Sequence, residues 1–527
     1  MNLAISLKRA LSQWPDKEAF VDGQKRLTYG EFGKRVAALT HIIVNLGLAK
    51  GSTRAVMAPN CLEFTELYFA AACIGAVLCP INYRLASHEI EQILEHSETQ
   101  LLVCHTDFAE LAEVALVNLS RIKLVAWLGA GSLPDTKVKS VRYEPYLLSQ
   151  WNKELIDNQA EGSDLAQIYY TSGTTGQAKG VMLTHENVSY NALGAIAELA
   201  LNDSHCWVHA APMFHLVDAW AVFALTWVGG KHVFIPYFNA EALLPILEAE
   251  AVSHTALVPT MVNALLNSGV VWQYSYNALS TIMTAGSPIA PEIVKQIQEV
   301  FSCTYVQFYG MTETSPFLSI SLPKSKDLQR SKSEVLAIRS KTGRPFIGVD
   351  LKVVKEDGSE VARDGIDVGE IIARGPNVTK GYWKNPEATA QTIRDGWIYT
   401  GDLAVMDSDG YINVVDRSKD MIISGGENVY STEVEYVLHE HPAILECAVF
   451  GIPDKKWGEL VHASVVCRAG QKLAEEELTD FIRERLARYK VPRHWEFLEE
   501  LPKTGSGKIK KKELRDKYWL GRERRVN

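Results

Sequence analysis

Through most of the chain, short apolar runs alternate with longer stretches whose apolar residues recur at helical spacing. Arg54–Met57, Gln100–Cys104, Lys123–Leu128, Ala166–Tyr170, Val233–Pro236 and Thr281–Thr284 are strand-sized, while Ser87–His96 and Pro291–Phe301 read as amphipathic helices. Such alternation predicts parallel sheets covered by helices, because parallel strands need a crossover connection. Past Gly343 the pattern changes to turns and alternating strands, at Asp350–Lys355, Glu370–Arg374 and Tyr411–Val415, which predicts a smaller β-rich subdomain.

A second boundary falls at the charged run Asp416-Arg417-Ser418-Lys419-Asp420, between a strand and a Gly-Gly turn. Beyond it the pattern predicts a helix over Ser431–His439, strands over Ile444–Gly451 and Val461–Cys467, and a helix over Glu475–Arg488. A chain of 527 residues exceeds what one core organises. The expected fold class is therefore α/β. A large N-terminal domain, residues 1–416, holds layered α/β subdomains plus the β-rich one. A hinge spans 417–420, and a small α+β C-terminal domain covers 421–527.

Composition narrows the function classes. A 47% apolar and 22% charged chain is that of a globular protein, and a net charge of −9 argues against nucleic-acid binding. The segment from Lys503 to Asn527 departs from this balance, with ten Lys/Arg against three Asp/Glu. It reads either as a solvated tail or as a phosphate-facing surface. The N-terminus has no secretory apolar core, and the C-terminal RRVN is not a peroxisomal address. The longest apolar runs, Leu67–Ile81 and Ala219–Gly230, fall short of the roughly 20 residues that cross a bilayer. Eight cysteines lie scattered without a CxxC pair, so neither a disulfide framework nor a zinc site is expected, and a cytoplasmic location is. The sequence leaves open whether the chain is a monomer or a homodimer.

The strongest local signal runs from Ile168 to Val181. A buried strand enters a loop, Thr171-Ser172-Gly173-Thr174-Thr175-Gly176-Gln177-Ala178-Lys179-Gly180, rich in glycine and hydroxyls and ending on a lysine. Glycines let backbone approach a phosphate, hydroxyl and N–H groups donate to its oxygens, and Lys179 adds charge. It is not a P-loop NTPase motif, in which Ser or Thr follows the lysine; here Gly180 does. Direct abutment on strand residues, with a helical stretch from about His185, speaks against a flexible linker.

This loop resembles the signature of the adenylate-forming superfamily: acyl-CoA synthetases, peptide-synthetase adenylation domains and luciferases. Five further segments resemble that family's motifs, in its order. They are Pro212-Met213-Phe214-His215 at the acyl pocket, Tyr309-Gly310-Met311-Thr312-Glu313 at adenine and magnesium, Tyr399-Thr400-Gly401-Asp402 at ribose, Asp416–Lys419 at the hinge, and Pro502–Lys508 as the catalytic-lysine loop. The resemblance covers nearly the whole chain. It implies a carboxylic acid–CoA ligase that uses ATP, Mg²⁺ and coenzyme A and passes through an acyl-adenylate.

The implied roles follow residue by residue. Thr171, Ser172, Gly173, Thr174, Thr175, Gly176 and Lys179 would hold the phosphates. Tyr309 would stack on adenine, beside Gly310, Met311 and the turn Gly286-Ser287; Ala285 stands where many relatives carry another glycine. Thr312 would donate to the α-phosphate, Glu313 would hold Mg²⁺, and Thr171 would be a second contact to the ion. Asp402 suits the ribose diol and Arg417 the ribose or α-phosphate. Lys508 would offset the charge that builds as a carboxylate attacks the α-phosphate, with Gly505, Ser506 and Gly507 giving its loop mobility. The C-terminal domain would then rotate about Lys419, withdraw Lys508, and present Ser424-Gly425-Gly426-Glu427-Asn428 to pantetheine. His215 is either a gate to the acyl pocket or a structural histidine.

The acyl pocket is expected to be lined by His215, Trp220, Val258, Ala285, Gly310, Met311, Thr314 and Ser315, nearly all uncharged, which suits a short or medium fatty acid or an aryl acid. Three rivals are an enzyme loading a carrier protein, a luciferase-type oxygenase and a non-catalytic nucleotide sensor. Amino-acid adenylating relatives usually carry aspartate where this chain has His215, and the co-occurrence of Lys508, Glu313 and Lys419 speaks against a sensor.

Overall fold

The structure is a computed structural model describing residues 1–520, except 49, 158–159, 173–177, 287–288 and 505–507, with the Ser172 side chain also outside the described set. Among the described residues the strands form four sheets of nine, seven, five and five strands. Parallel pairing dominates the two large ones: Thr53–Met57 runs parallel to both neighbours, and His254–Leu257, Thr281–Thr284 and Thr304–Gly310 pair successively in parallel. Their strands read as continuous apolar runs because helices cover both faces; every residue of Thr53–Met57 is buried.

Local signals set many bounds. Pro291 opens the helix Pro291–Phe301 at its first turn, Ile293, Val294, Ile297 and Phe301 form the buried stripe, and Ser302 ends it with φ +53°. Several expected bounds shift, and three of the shifts have a visible cause. The strand expected over Val233–Pro236 is Lys231–Phe234: Lys231 pairs with Cys206 in the ladder and carries its ammonium out to Glu250 at 2.7 Å. The helix expected to reach Arg488 ends at Arg483, so that Leu486 and Val491 fold back on the small domain's core. The strand expected to end at Gly451 continues to Asp454, and its partner starts at Gly458, closing a hairpin.

Past Gly343 the β-rich subdomain forms one five-stranded antiparallel sheet. Gly343 has φ +117° and sits so close to Ile320 that a Cβ would lie 2.2 Å from its carbonyl carbon. The C-terminal segment carries its own sheet and apolar core, built on Ile422, Val434, Leu438, Val449, Val461 and Ile482. Four cations of the basic C-terminal segment are paired: Lys503, Lys511, Arg515 and Lys517 with Glu446, Glu435, Asp420 and Glu496. No helix among the described residues is long and apolar enough to cross a membrane.

Candidate active site

The phosphate-loop strand does not lead straight into a helix. Leu165–Ser172 pairs antiparallel with Ala178–Thr184, Thr171 opposite Lys179, and the helix His185–Leu199 follows that second strand. The strands on either side of the loop are thus antiparallel partners. Gly173, Thr174, Thr175 and Gly176 lie outside the described residues, as do Ser287 and residues 505–507. Lys179 lies with its ammonium 5.2 Å from the centre of the Tyr382 ring, and the Tyr382 hydroxyl donates to Glu313 Oε1 at 2.8 Å. Tyr382 is held there because its segment pairs with the strand Ala178–Thr184: Met182 N–H donates to Gly381 O at 3.1 Å and Trp383 N–H to Gly180 O at 2.7 Å.

Glu313 sits on the short turn Thr312–Thr314 that follows the strand Thr304–Gly310. Gly310 has no alternative there, since a Cβ would lie 1.8 Å from Pro316 O. Burial lifts the Glu313 carboxyl above the usual carboxylate range, with the Tyr382 hydroxyl opposing. A buried carboxylate so destabilised gains from a cation. Among the described residues no group of three or more His, Cys, Asp or Glu could hold a metal alone. The buried Glu313 carboxyl fits Mg²⁺, a hard ion held through one or two carboxylates with substrate phosphates completing its shell.

Across the site, Tyr309 and Arg417 converge on Asp402. The Tyr309 hydroxyl donates to Asp402 Oδ2 at 2.8 Å, and Arg417 Nε lies 3.2 Å from Oδ1. Sheet register sets the second contact, since Asp402 and Arg417 are cross-strand partners.

Lys508 reaches this group from the C-terminal domain. Thr504 N–H donates to Lys508 O at 2.7 Å and Lys508 N–H to Thr504 Oγ1 at 3.1 Å, closing the loop's base. The side chain lies against Gly286, whose φ is +92°; a Cβ there would sit 2.9 Å from Lys508 Cε, and Val258 is also adjacent. Gly286 therefore leaves a slot for the lysine stem, a role that the sequence reading, which assigned it to adenine, did not include. Burial and then Arg417 push the Lys508 ammonium down to about 8, while Asp402 and Glu313 oppose the shift.

His215 precedes the helix Leu216–Val228, its ring 4.6 Å from that of Phe214. Burial, then Lys508 and Arg84, hold it down at about 3, so the ring is neutral; its buried Nε2 has no hydrogen-bond partner among the described residues. Trp220 is fully buried, edge-on to Trp207 and Phe317 at 5.0 Å each. Thr314 and Ser315 are fully buried too, whereas Met311 and Thr312 are half-buried.

The structure does not bring Gly425, Gly426 and Glu427 to this cluster. They form an exposed hairpin tip, with Ser424 paired to Glu427, φ +63° and +88° at the two glycines, and the Trp457 ring against Gly425. Lys419 is exposed, between the last N-terminal strand and this hairpin. Tyr382 escaped the sequence reading: Lys-Gly-Tyr-Trp carries no spacing signal, and its link to Glu313 spans 69 positions.

The AMP-binding enzyme family matches residues 7–383, and the AMP-binding enzyme C-terminal domain matches 433–508. A feruloyl-CoA synthase from Amycolatopsis sp. is 35% identical over 519 residues, 97% of this chain and 99% of that protein. A 4-hydroxybutyrate–CoA ligase from Metallosphaera sedula is 34% identical over 520 residues, 97% of this chain and 93% of that protein. The crystal structure of the anthranilate CoA ligase AuaEII with anthranoyl-AMP superposes with a TM-score of 0.90 at 26% identity, covering 99% of this chain and 98% of that one. The chain thus belongs to the AMP-binding enzyme family, as an adenylate-forming acyl-CoA synthetase.

Proposed function

We propose that this enzyme joins an aryl acid or a short- or medium-chain fatty acid to CoA, through an acyl-adenylate made where Lys508 meets Asp402, Arg417 and Glu313. The convergence of Lys508 from one domain on carboxylates of the other is the observation that carries the reading. In the first half-reaction a carboxylate oxygen bonds the α-phosphorus of ATP and pyrophosphate leaves. Lys508 offsets charge on the phosphoryl oxygens, Asp402 accepts from the ribose, Tyr309 stacks on adenine, and Lys179 faces the departing phosphates. Glu313, with Thr171, would hold Mg²⁺, which neutralises phosphate charge when bound. In the second half-reaction the CoA sulfur bonds the acyl carbon and AMP leaves. The limits 1–416 and 421–527, with Lys419 in the hinge 417–420, belong to this proposal, as does the passage of pantetheine beside Gly425, Gly426 and Glu427.

An aryl or other apolar acid is favoured by the uncharged expected lining and by the aryl acids that two relatives are named for. Seven buried free cysteines of eight suit the reducing cytoplasm. A panel of carboxylic acids scored by CoA-dependent AMP formation tests the assignment: benzoates, cinnamates and C4–C10 acids should lead, and preference for a dicarboxylate or an amino acid would overturn it. Light scattering distinguishes monomer from homodimer.

Ala285 supplies a chain-length test, since it packs against the same core cluster as Trp220. An extra methyl in a packed tunnel costs about 1–3 kcal/mol for any substrate needing the space. Ala285→Gly is therefore expected to raise kcat/KM for long straight-chain acids over short ones by roughly five- to a hundredfold. An unchanged ratio across the series would put the pocket floor elsewhere.

A further inference from the structure

The basic C-terminal segment contributes more than Lys508. Three residues on, Lys511 opens the helix Lys511–Trp519 and turns into the hinge. Its ammonium lies 2.7 Å from Glu435 Oε1 and donates to Ser431 Oγ at 2.8 Å. Ser431 in turn donates from its hydroxyl to Asp416 Oδ1 at 3.1 Å and from its N–H to Asp416 Oδ2 at 2.6 Å. Asp416 is 3% exposed and Ser431 fully buried. One turn further along, Arg515 pairs with Asp420 Oδ1 at 2.9 Å. The helix that follows the catalytic lysine is thus tied to both ends of the run containing Lys419.

These contacts differ in what a rotation at Lys419 would do to them. Lys511, Glu435 and Ser431 all lie beyond the hinge and move together. Asp416 lies before it, in the N-terminal strand Ile412–Arg417, where it pairs with Leu403. The Asp416–Ser431 contacts therefore span the hinge. There the Asp416 carboxylate meets the first turn of the helix Ser431–His439, where N–H groups without a partner inside the helix favour an anion. Lys511 polarises the Ser431 hydroxyl toward Asp416 and offsets three carboxylates, Asp416, Asp420 and Glu435, that would otherwise repel one another. We propose that Lys511, acting through Ser431 on Asp416, is a positioning residue that latches the C-terminal domain in the orientation that inserts Lys508, and that the latch opens between the half-reactions.

This inference rests on the alternation of domains proposed above. Removing the latch should weaken only the orientation that makes the adenylate. Lys511→Met is expected to slow ATP–pyrophosphate exchange by about ten- to a hundredfold, the worth of one charge-assisted hydrogen bond. Thioester formation from ready-made acyl-adenylate and CoA should stay at the wild-type rate, and Lys511→Arg should restore exchange. A merely structural lysine would slow both halves alike, and that result overturns the latch. Should Lys511→Met fail to fold, Ser431→Ala decides: selective loss of exchange supports the relay and unchanged exchange refutes it. Lys508→Ala in the same assay separates the two levels. If it is selective and Lys511→Met is not, the latch alone fails; if both slow the two halves equally, alternation fails and takes the latch with it.

Discussion

Lys508→Ala is expected to abolish measurable ATP–pyrophosphate exchange while leaving thioester formation from supplied acyl-adenylate intact. The first half-reaction brings two anionic groups together, and the Lys508 ammonium is delivered between Gly286 and the Asp402–Arg417 pair. Loss of one such preorganised charge stabiliser costs about 10²–10³-fold in rate. The second half-reaction attacks a carbonyl carbon and has no need of it. A comparable fall in both halves would refute the division of labour. The same lysine predicts a pH limb. Burial and Arg417 hold its ammonium near 8 in the free enzyme, so the charged form is present below that pH and lost above it. Adenylation kcat/KM should fall about tenfold per pH unit beyond that break. Lys508→Arg, whose guanidinium stays charged, should lack the limb even if slower; a limb that survives belongs to another group.

The second large effect is expected at Gly426. Its hairpin tip is exposed, and a Cβ there would meet nothing within 4 Å. With φ at +88°, any other residue carries strain of about 1–2 kcal/mol, local to the tip. Gly426→Trp should therefore leave exchange close to wild type, because the tip stands away from the site in the adenylating arrangement. Thioester formation should fall by about a hundredfold or more, the scale of a reacting group held out of place. Gly426→Ala separates the causes, since it keeps the strain without the bulk and should turn over CoA nearly normally. Equal losses in the two variants would mean that strain, not obstruction, is responsible.

How much of this was legible in the sequence depends on how local the determining contacts are. The helices Ser87–His96, Pro291–Phe301 and Ser431–His439 were legible to the residue, because apolar spacing and end residues lie within each segment. The β-rich turn beyond Gly343 and the two-domain fold were legible for the same reason. The antiparallel pairing on either side of the phosphate loop was not, since nothing in Ala178–Thr184 announces pairing with the preceding strand. The motif residues were readable as types, and the structure groups Tyr309, Asp402, Arg417, Glu313, Lys179 and Lys508. Tyr382, the Gly286 slot and the Lys511–Ser431 contact came only from folding, since they depend on pairings 69, 222 and 80 positions apart. The small domain's basic segment shows the same limit. Its cations were countable, but which carboxylate each would meet was not.

A staged single-turnover experiment tests the central claim most directly. Enzyme in excess is mixed with an accepted aryl or medium-chain acid and ATP–Mg²⁺, quenched before CoA is added, and quenched again afterwards. The account predicts acyl-adenylate and pyrophosphate in equal amounts before CoA, with AMP and thioester appearing together only after it. Formation of ADP and phosphate, or of thioester with no adenylate preceding it, would contradict the account.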